Sequence, residues 1–210
     1  MRKFLEIGGL VAAVVLIAFG IGAVVIGAQG RSTVHTNLKT EQIVGTPDMT
    51  PAGIKAEAAK AGLKNISLPT CSVAGQAVTN GTTARCFAQY MRIHALEATG
   101  GLTYAQMPHY ATADGKGTND ATKAVQVNGR PQDNAARNVW VTETALTTAL
   151  NASYMAEQTA LFGIVVGIAL LITGVGLGVL AIGGTLRNPD TALRLTRRPE
   201  HTSTEAIPAA

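Results

Sequence analysis

Two long uncharged stretches stand out in the pattern of hydrophobic and polar positions. The later stretch, residues 161–182, has no charge and no proline, and Leu, Ile, Val or Phe fill 14 of its 22 positions. A helix of this length rises about 33 Å, which matches a bilayer hydrocarbon core roughly 30 Å thick. We therefore predict a transmembrane helix over residues 159–184. A buried helix of a soluble protein is the alternative.

The earlier stretch, residues 7–29, is also long enough to span a bilayer. A cleaved signal peptide is the alternative, because Arg2 and Lys3 precede the stretch and residues 26–28 resemble a cleavage site. However, the apolar region of a signal peptide usually has only about 7–15 residues. We therefore predict an uncleaved transmembrane helix, preceded by a short cytoplasmic N-terminus of residues 1–6.

Basic residues flank the two predicted spans on the sides away from the central segment. They are Arg2, Lys3, Arg187, Arg194, Arg197 and Arg198. Basic residues close to membrane-spanning segments tend to stay in the cytoplasm. We thus expect both termini inside, residues 30–158 as an extracytoplasmic domain, and residues 185–210 as a disordered cytoplasmic tail. The tail arginines either contact anionic lipid or only set the topology.

The central segment has mostly helical signals. Residues 31–43 are predicted to continue the first helix outward. Thr50 and Pro51 predict the start of a second helix, because threonine caps free amides and proline suits the first helical position. The other predicted elements are a third helix over residues 83–97, a short strand over residues 124–127, and a helix from residue 134 into the second span.

The composition excludes few functions but makes nucleic-acid binding improbable. The net charge is only +4 and aromatic residues are 4% of the chain. We find no basic stripe with interleaved aromatic residues, which is the usual pattern of a nucleic-acid surface. Neither span contains an ionisable residue, which argues against an ion path.

The two cysteines, Cys71 and Cys86, have 14 residues between them. In an exported domain such a pair is typical of a disulfide, and closing this loop is worth about 3 kcal/mol. A reactive thiol or a metal-binding pair is the alternative. The spacing is not that of a CxxC motif, so we predict the disulfide.

Three other residues are candidate ligands of an iron ion. His94 and Glu97 lie three residues apart on one predicted helix face, and His109 follows in a loop. Two histidines and a carboxylate form the facial triad of non-heme iron enzymes. Ordinary surface or capping histidines are the alternative. Our prediction from these residues is no metal, no cofactor and no catalytic residue.

Small residues recur at helical spacing in the predicted spans. The second span has Gly163, Gly167, Gly174 and Gly178, and the first has Gly9, Ala13, Ala18 and Gly22. Such residues allow helix backbones to approach closely. We predict that the four glycines of the second span pack against the first span in an antiparallel hairpin. The general abundance of glycine in membrane helices is the alternative.

Two phrases resemble a family of uncharacterised actinobacterial membrane proteins with two spans. They are LKTEQIVGTPDMTPAGI at residues 38–54 and VWVTETALTTALNASYMAEQTALFGIVVG at residues 139–167. The similarity covers most of residues 1–184 and implies a bacterial cell-envelope setting. Some members are labelled aromatic-ring-opening dioxygenases. That label implies an iron site, for which this chain offers His94, Glu97 and His109.

The predicted fold is a mainly α membrane protein, with two transmembrane helices that flank a mostly helical exported domain closed by one disulfide. The preferred function is non-catalytic: an interaction or accessory subunit of the envelope, with the lipid bilayer and a membrane or envelope protein as partners. Two alternatives stay open. One is an extracytoplasmic ligand-sensing module, which needs a pocket in residues 46–133, and the other is a non-heme iron dioxygenase.

Overall fold

The computed structural model of the chain describes residues 2–183 and is mainly helical, which confirms the predicted class at that level. The helices are α1 (Arg2–Thr40), α2 (Pro51–Lys60), α3 (Gly81–Ala98) and α4 (Ala135–Ile182), and β1 (Gln126–Val127) pairs antiparallel with β2 (Arg130–Pro131). The predicted disordered tail, residues 185–210, lies outside the described residues.

The helices α1 and α4 are long and apolar enough to cross a membrane, judged by length and composition. Both extend beyond the predicted spans, and α4 runs without interruption from Ala135 to Ile182 as predicted. The helix α1 ends at Thr40, three residues before its predicted end. The chain turns at Gln42, which has a left-handed backbone with φ 54°.

The chain divides into two compact units. We call Met1–Ile26 together with Gly163–Ala210 the apolar unit, and Gly27–Phe162 the central unit. The central unit contains the cysteines, the histidines of the described residues and both short strands.

In the apolar unit, glycines of α4 lie against the backbone of α1. A Cβ atom added at Gly167 would lie 2.7 Å from the carbonyl oxygen of Gly20, and one added at Gly174 would lie 3.0 Å from that of Ala13. Real Cβ atoms almost never approach other atoms below 3.0 Å. The helix backbones are therefore close enough to leave no room for a larger residue at Gly167.

The buried small residues of these two helices follow a seven-residue repeat. In α1 they are Ala13, Gly20 and Gly27, and in α4 they are Ala160, Gly167, Gly174 and Ala181. A seven-residue repeat keeps one face of a helix turned toward a partner along its length, as in coiled coils. The small residues were predicted to contact the partner helix at intervals of four residues. Gly22, one of those residues, has no neighbouring atom within 4 Å of an added Cβ atom.

In the central unit, side-chain caps fix the starts of α2 and α3. The Thr50 hydroxyl accepts a hydrogen bond from the Gly53 amide, and Pro51 is the first helical residue, as predicted. The helix α3 begins two residues before the predicted Thr83, because the Asn80 side chain caps the Thr83 amide. Caps of this kind satisfy amides that have no partner within the helix.

The core of the central unit consists of two apolar clusters. The first joins α2 to one face of α3, with Ile54 and Tyr90 fully buried. The second joins Leu38 of α1, Ala88 of α3 and Leu150 of α4. The helix α3 thus contributes one side to each cluster.

A disulfide fastens the loop before α3 to that helix. The sulfurs of Cys71 and Cys86 are at bonding distance, 2.02 Å, which confirms the predicted pair. The loop is also held by backbone hydrogen bonds, because the Val73 amide donates to the carbonyl oxygen of Met49 at 3.1 Å. The disulfide loop consequently contacts both α3 and the segment that precedes α2.

Candidate metal centre

Three side chains from separate parts of the central unit converge on one point. Asp48 precedes α2, Glu57 lies on α2 and His94 lies on α3. Their potential ligand atoms all lie within 4.8 Å of one another. His94 Nε2 is 2.9 Å from Asp48 Oδ2 and 3.5 Å from Glu57 Oε2. This is the kind of site at which nitrogen and oxygen atoms surround a small cation.

Local structure determines the position of each of the three. Asp48 lies in the tight turn before the Thr50 cap, where the Thr50 amide donates to the Asp48 carbonyl oxygen at 2.6 Å. His94 follows Cys86 and Tyr90 at intervals of four residues, so all three lie on one face of α3. The disulfide and the buried Tyr90 ring therefore fix the part of the helix that carries His94.

Two of the converging atoms have unused hydrogen-bonding capacity. Asp48 Oδ2 and His94 Nε2 are themselves inaccessible to solvent, although 27% of the Asp48 side chain and 34% of the His94 side chain are exposed. Neither atom has an aligned hydrogen-bond partner within the described part of the chain, despite their 2.9 Å separation. Buried polar atoms in folded proteins usually have such a partner. The pair is thus close in space but lacks the geometry of a hydrogen bond.

The charge of Asp48 is stabilised by its neighbours. The Thr46 hydroxyl lowers the pKa of Asp48 most, burial opposes this change, and the facing His94 lowers the pKa further. Burial, and then the Asp48 charge, raises the pKa of Tyr90. Asp48 is therefore an ionised carboxylate at neutral pH, which is the state that binds cations.

The cluster of Asp48, Glu57 and His94 contains only one of the three residues that the sequence offered as iron ligands. Within residues 2–183, neither Glu97 nor His109 belongs to a cluster of three potential ligands, and both side chains are exposed. His94 instead faces Asp48 and Glu57, so the set has one histidine and two carboxylates. Asp48 is 46 residues from His94 along the chain, and no sequence motif connects them.

A cavity of about 690 Å³ lies between α3 and α4, and His94 also lines it. Its walls are mostly apolar, with Met49, Phe87, Met91 and Val139 among them. Glu143 of α4 lines the same cavity, and only 3% of this residue is exposed. One of its oxygens, Oε2, binds Arg92 Nη1 at 3.1 Å, whereas Oε1 has no hydrogen-bond partner among the described residues.

A second buried carboxylate, Glu157, joins three helices. It accepts hydrogen bonds from Arg31 Nε at 3.0 Å and from the first amide of α3, at Gly81, and it lies 2.9 Å from His35 Nε2. Burial raises the pKa of Glu157, but the hydrogen bonds of His35, Gly81 and Arg31 outweigh burial and leave that pKa lowered. With all these partners in place, Glu157 has a structural role.

Comparison with known proteins does not extend these observations. No family model matches the chain, and no curated protein and no solved structure matches it.

Proposed function

We propose that this chain is a two-span membrane protein of the bacterial cell envelope that acts as a non-catalytic interaction or accessory subunit. Residues 30–158 lie outside the cytoplasm and both termini lie inside. The observation that carries the proposal is the Cys71–Cys86 disulfide in a chain with two helices apolar enough to span a bilayer. Disulfides persist in oxidising compartments and are rare in the cytoplasm.

The distribution of charge supports the same orientation. Arg2 and Lys3 precede the first apolar stretch, and four arginines follow the second. The positive-inside tendency favours both ends in the cytoplasm. The central segment is about 130 residues long, so its own basic residues have little influence on orientation.

The topology is tested with a reporter enzyme that is active only outside the cytoplasm. The reporter should be active when fused after Gly117 and inactive when fused after Ala210. Activity after Ala210 would contradict the orientation. N-terminal sequencing provides the second test, because a mature protein that begins at Gln29 would make the first apolar stretch a signal peptide.

The role as a subunit is tested by purification from native membranes in mild detergent, followed by mass spectrometry. An accessory subunit should co-purify with one membrane or envelope protein in a fixed ratio. A chain that is monomeric and without partner in several detergents would contradict this role.

One observation favours a second candidate function, the binding of a small ligand outside the cytoplasm. Glu143 Oε1, which has no hydrogen-bond partner within residues 2–183, is buried at the wall of the α3–α4 cavity. The fitting ligand has an apolar body and one hydrogen-bond donor or amine. This cavity lies only partly in residues 46–133, since α4 supplies Asn138, Val139 and Glu143.

Glu143→Gln tests the ligand-binding candidate, because it keeps the shape of the side chain but removes the charge. Binding of a long-chain amine, measured by the quenching of Trp140 fluorescence, should weaken in this variant. Equal binding by Glu143→Gln and the parent would contradict the candidate.

Iron analysis of the purified protein addresses the remaining alternative, a non-heme iron dioxygenase, which requires about one iron per chain.

A further inference from the structure

We propose that Asp48, Glu57 and His94 bind a divalent transition-metal ion, for which Zn²⁺ fits best. This site goes beyond the role of the chain as an envelope subunit and does not depend on it. The proposal stands on the spacing and orientation of the ligand atoms and on the rigidity of the segments that hold them.

The spacing of the ligand atoms suits direct coordination of a metal ion. Nitrogen and oxygen ligands lie about 2.0–2.1 Å from zinc, so that neighbouring ligands of a tetrahedral ion lie about 3.3 Å apart. The distances from His94 Nε2, 2.9 Å to Asp48 Oδ2 and 3.5 Å to Glu57 Oε2, lie on either side of that value. All three ligand atoms lie within 4.8 Å of one another.

The donor set distinguishes between classes of metal ion. Zn²⁺ binds both imidazole nitrogen and carboxylate oxygen, whereas Ca²⁺ and Mg²⁺ prefer oxygen ligands alone. Three protein ligands leave the fourth position of a tetrahedral ion for water or for another ligand. Because His94 also lines the α3–α4 cavity, the metal ion would adjoin that cavity.

The orientation of His94 toward Asp48 suits two ligands of one metal ion. The two atoms lie at the distance of a salt bridge, 2.9 Å, but within the described residues they are not aligned as a hydrogen bond. A cation between them satisfies both lone pairs at once, and this removes the cost of burying polar atoms without partners.

The surrounding structure holds the three ligands in place before any metal binds. Tyr90, one turn before His94, is fully buried, and Cys86, two turns before His94, is held by the disulfide. Asp48 and Glu57 are joined through the capped start of α2. A site that is already assembled loses little conformational entropy on binding, which favours affinity.

The test measures Zn²⁺ binding by calorimetry on the purified, oxidised, full-length protein in mild detergent. The parent should bind one Zn²⁺ per chain, and its melting temperature should rise with Zn²⁺ concentration. His94→Gln and Glu57→Gln should each weaken binding by more than about 100-fold, because even residues that only support metal ligands contribute 10–100-fold. Ca²⁺ should compete poorly.

Glu97→Gln and His109→Gln are the matched controls, since they change the same residue types outside the cluster. Both should bind Zn²⁺ like the parent. Co²⁺ provides a second readout, because its visible absorption should depend on His94 and not on His109. Absence of stoichiometric binding by the parent would overturn the proposal, and so would equal binding by the parent, His94→Gln and Glu57→Gln. Circular dichroism and thiol titration report whether each variant is folded with its disulfide intact.

Discussion

The Tyr90 hydroxyl donates a hydrogen bond to the carbonyl oxygen of Cys71 across 2.6 Å. This contact fastens the disulfide loop to α3 one turn beyond Cys86. Tyr90 is among the residues with no exposed surface. The loop is therefore attached to the helix twice, once by a covalent bond and once by a buried hydrogen bond.

Tyr90→Phe should destabilise the central unit by about 1–2 kcal/mol, because it leaves the Cys71 carbonyl oxygen without its buried partner. The measurement is denaturant unfolding in detergent. Tyr104→Phe is the control, since Tyr104 is 42% exposed. A loss of stability by Tyr104→Phe that equals that of Tyr90→Phe would contradict the role of the hydrogen bond.

The disulfide should protect both cysteines from alkylation and should stabilise the folded protein. Without reductant, Cys71 and Cys86 should resist alkylation, and with reductant and denaturant both should react. Reduction should lower the free energy of unfolding by about 3 kcal/mol, as expected for a loop of this length. Mass spectrometry counts the labelled thiols, and full labelling of unreduced protein would contradict the bond.

Removal of the Glu157 carboxylate should disturb three helices at once. Glu157→Ala leaves Arg31, His35 and the start of α3 without their common acceptor, and should cost about 2–3 kcal/mol. Glu97→Ala is the control, because Glu97 is exposed. Denaturant unfolding in detergent measures the stability of both variants. Equal stability would argue against a structural role for the hydrogen bonds of Glu157.

Glu157 should also make stability depend on pH in the acidic range. Its pKa in the folded protein is lowered from the ordinary value of 4.5. The carboxylate therefore adds stability at pH above about 4.5, and this contribution is lost as pH falls through the lowered pKa. Glu157→Gln should flatten this part of the pH profile, whereas an unchanged slope would refute the assignment.

Gly167→Leu should loosen the packing of α1 against α4, because the added side chain meets the Gly20 carbonyl oxygen. Overpacking of this kind costs about 1–3 kcal/mol. Gly176→Leu is the matched control, since nothing lies within 4 Å of a Cβ added there. Both variants should insert into membranes, because leucine favours the bilayer more than glycine does.

Cysteine cross-linking measures the packing. Ala13→Cys combined with Gly178→Cys places two Cβ atoms 3.7 Å apart, within the range of a disulfide. Oxidation should cross-link this pair efficiently in the parent and in Gly176→Leu, but poorly in Gly167→Leu or Gly174→Leu. Equal yields in all of them would mean that these glycines do not set the helix contact.

Local signals in the sequence predicted the helices well. Thr50 and Pro51 define the start of α2 through contacts within four residues, so no knowledge of the fold was required. The predicted start of α3 is wrong by two residues, because the cap is Asn80 and the helix begins at Gly81. The strand was predicted over residues 124–127 and forms over Gln126–Val127, where Asn128 and Gly129 make the turn.

Contacts between distant residues were beyond the reach of local patterns. The HxxE spacing linked His94 to Glu97, whereas the fold brings His94 to Asp48 and Glu57. Glu157 directly precedes residues 158–186, which carry no charge, and its three partners are at least 76 residues away. Convergence of this kind depends on tertiary packing, which a single sequence does not reveal.

The close approach of α1 and α4 limits how this protein meets others. Gly167 and Gly174 are turned toward Gly20 and Ala13 of the same chain, so that face is already occupied. In the proposed two-span arrangement, a second membrane protein therefore has to recognise the outward faces, where side chains such as Phe162, Ile172 and Val179 are exposed. Recognition within the bilayer then depends on the shape of bulky apolar side chains. Glycine-to-leucine changes that separate α1 from α4 would expose a further apolar surface to which other membrane helices could bind.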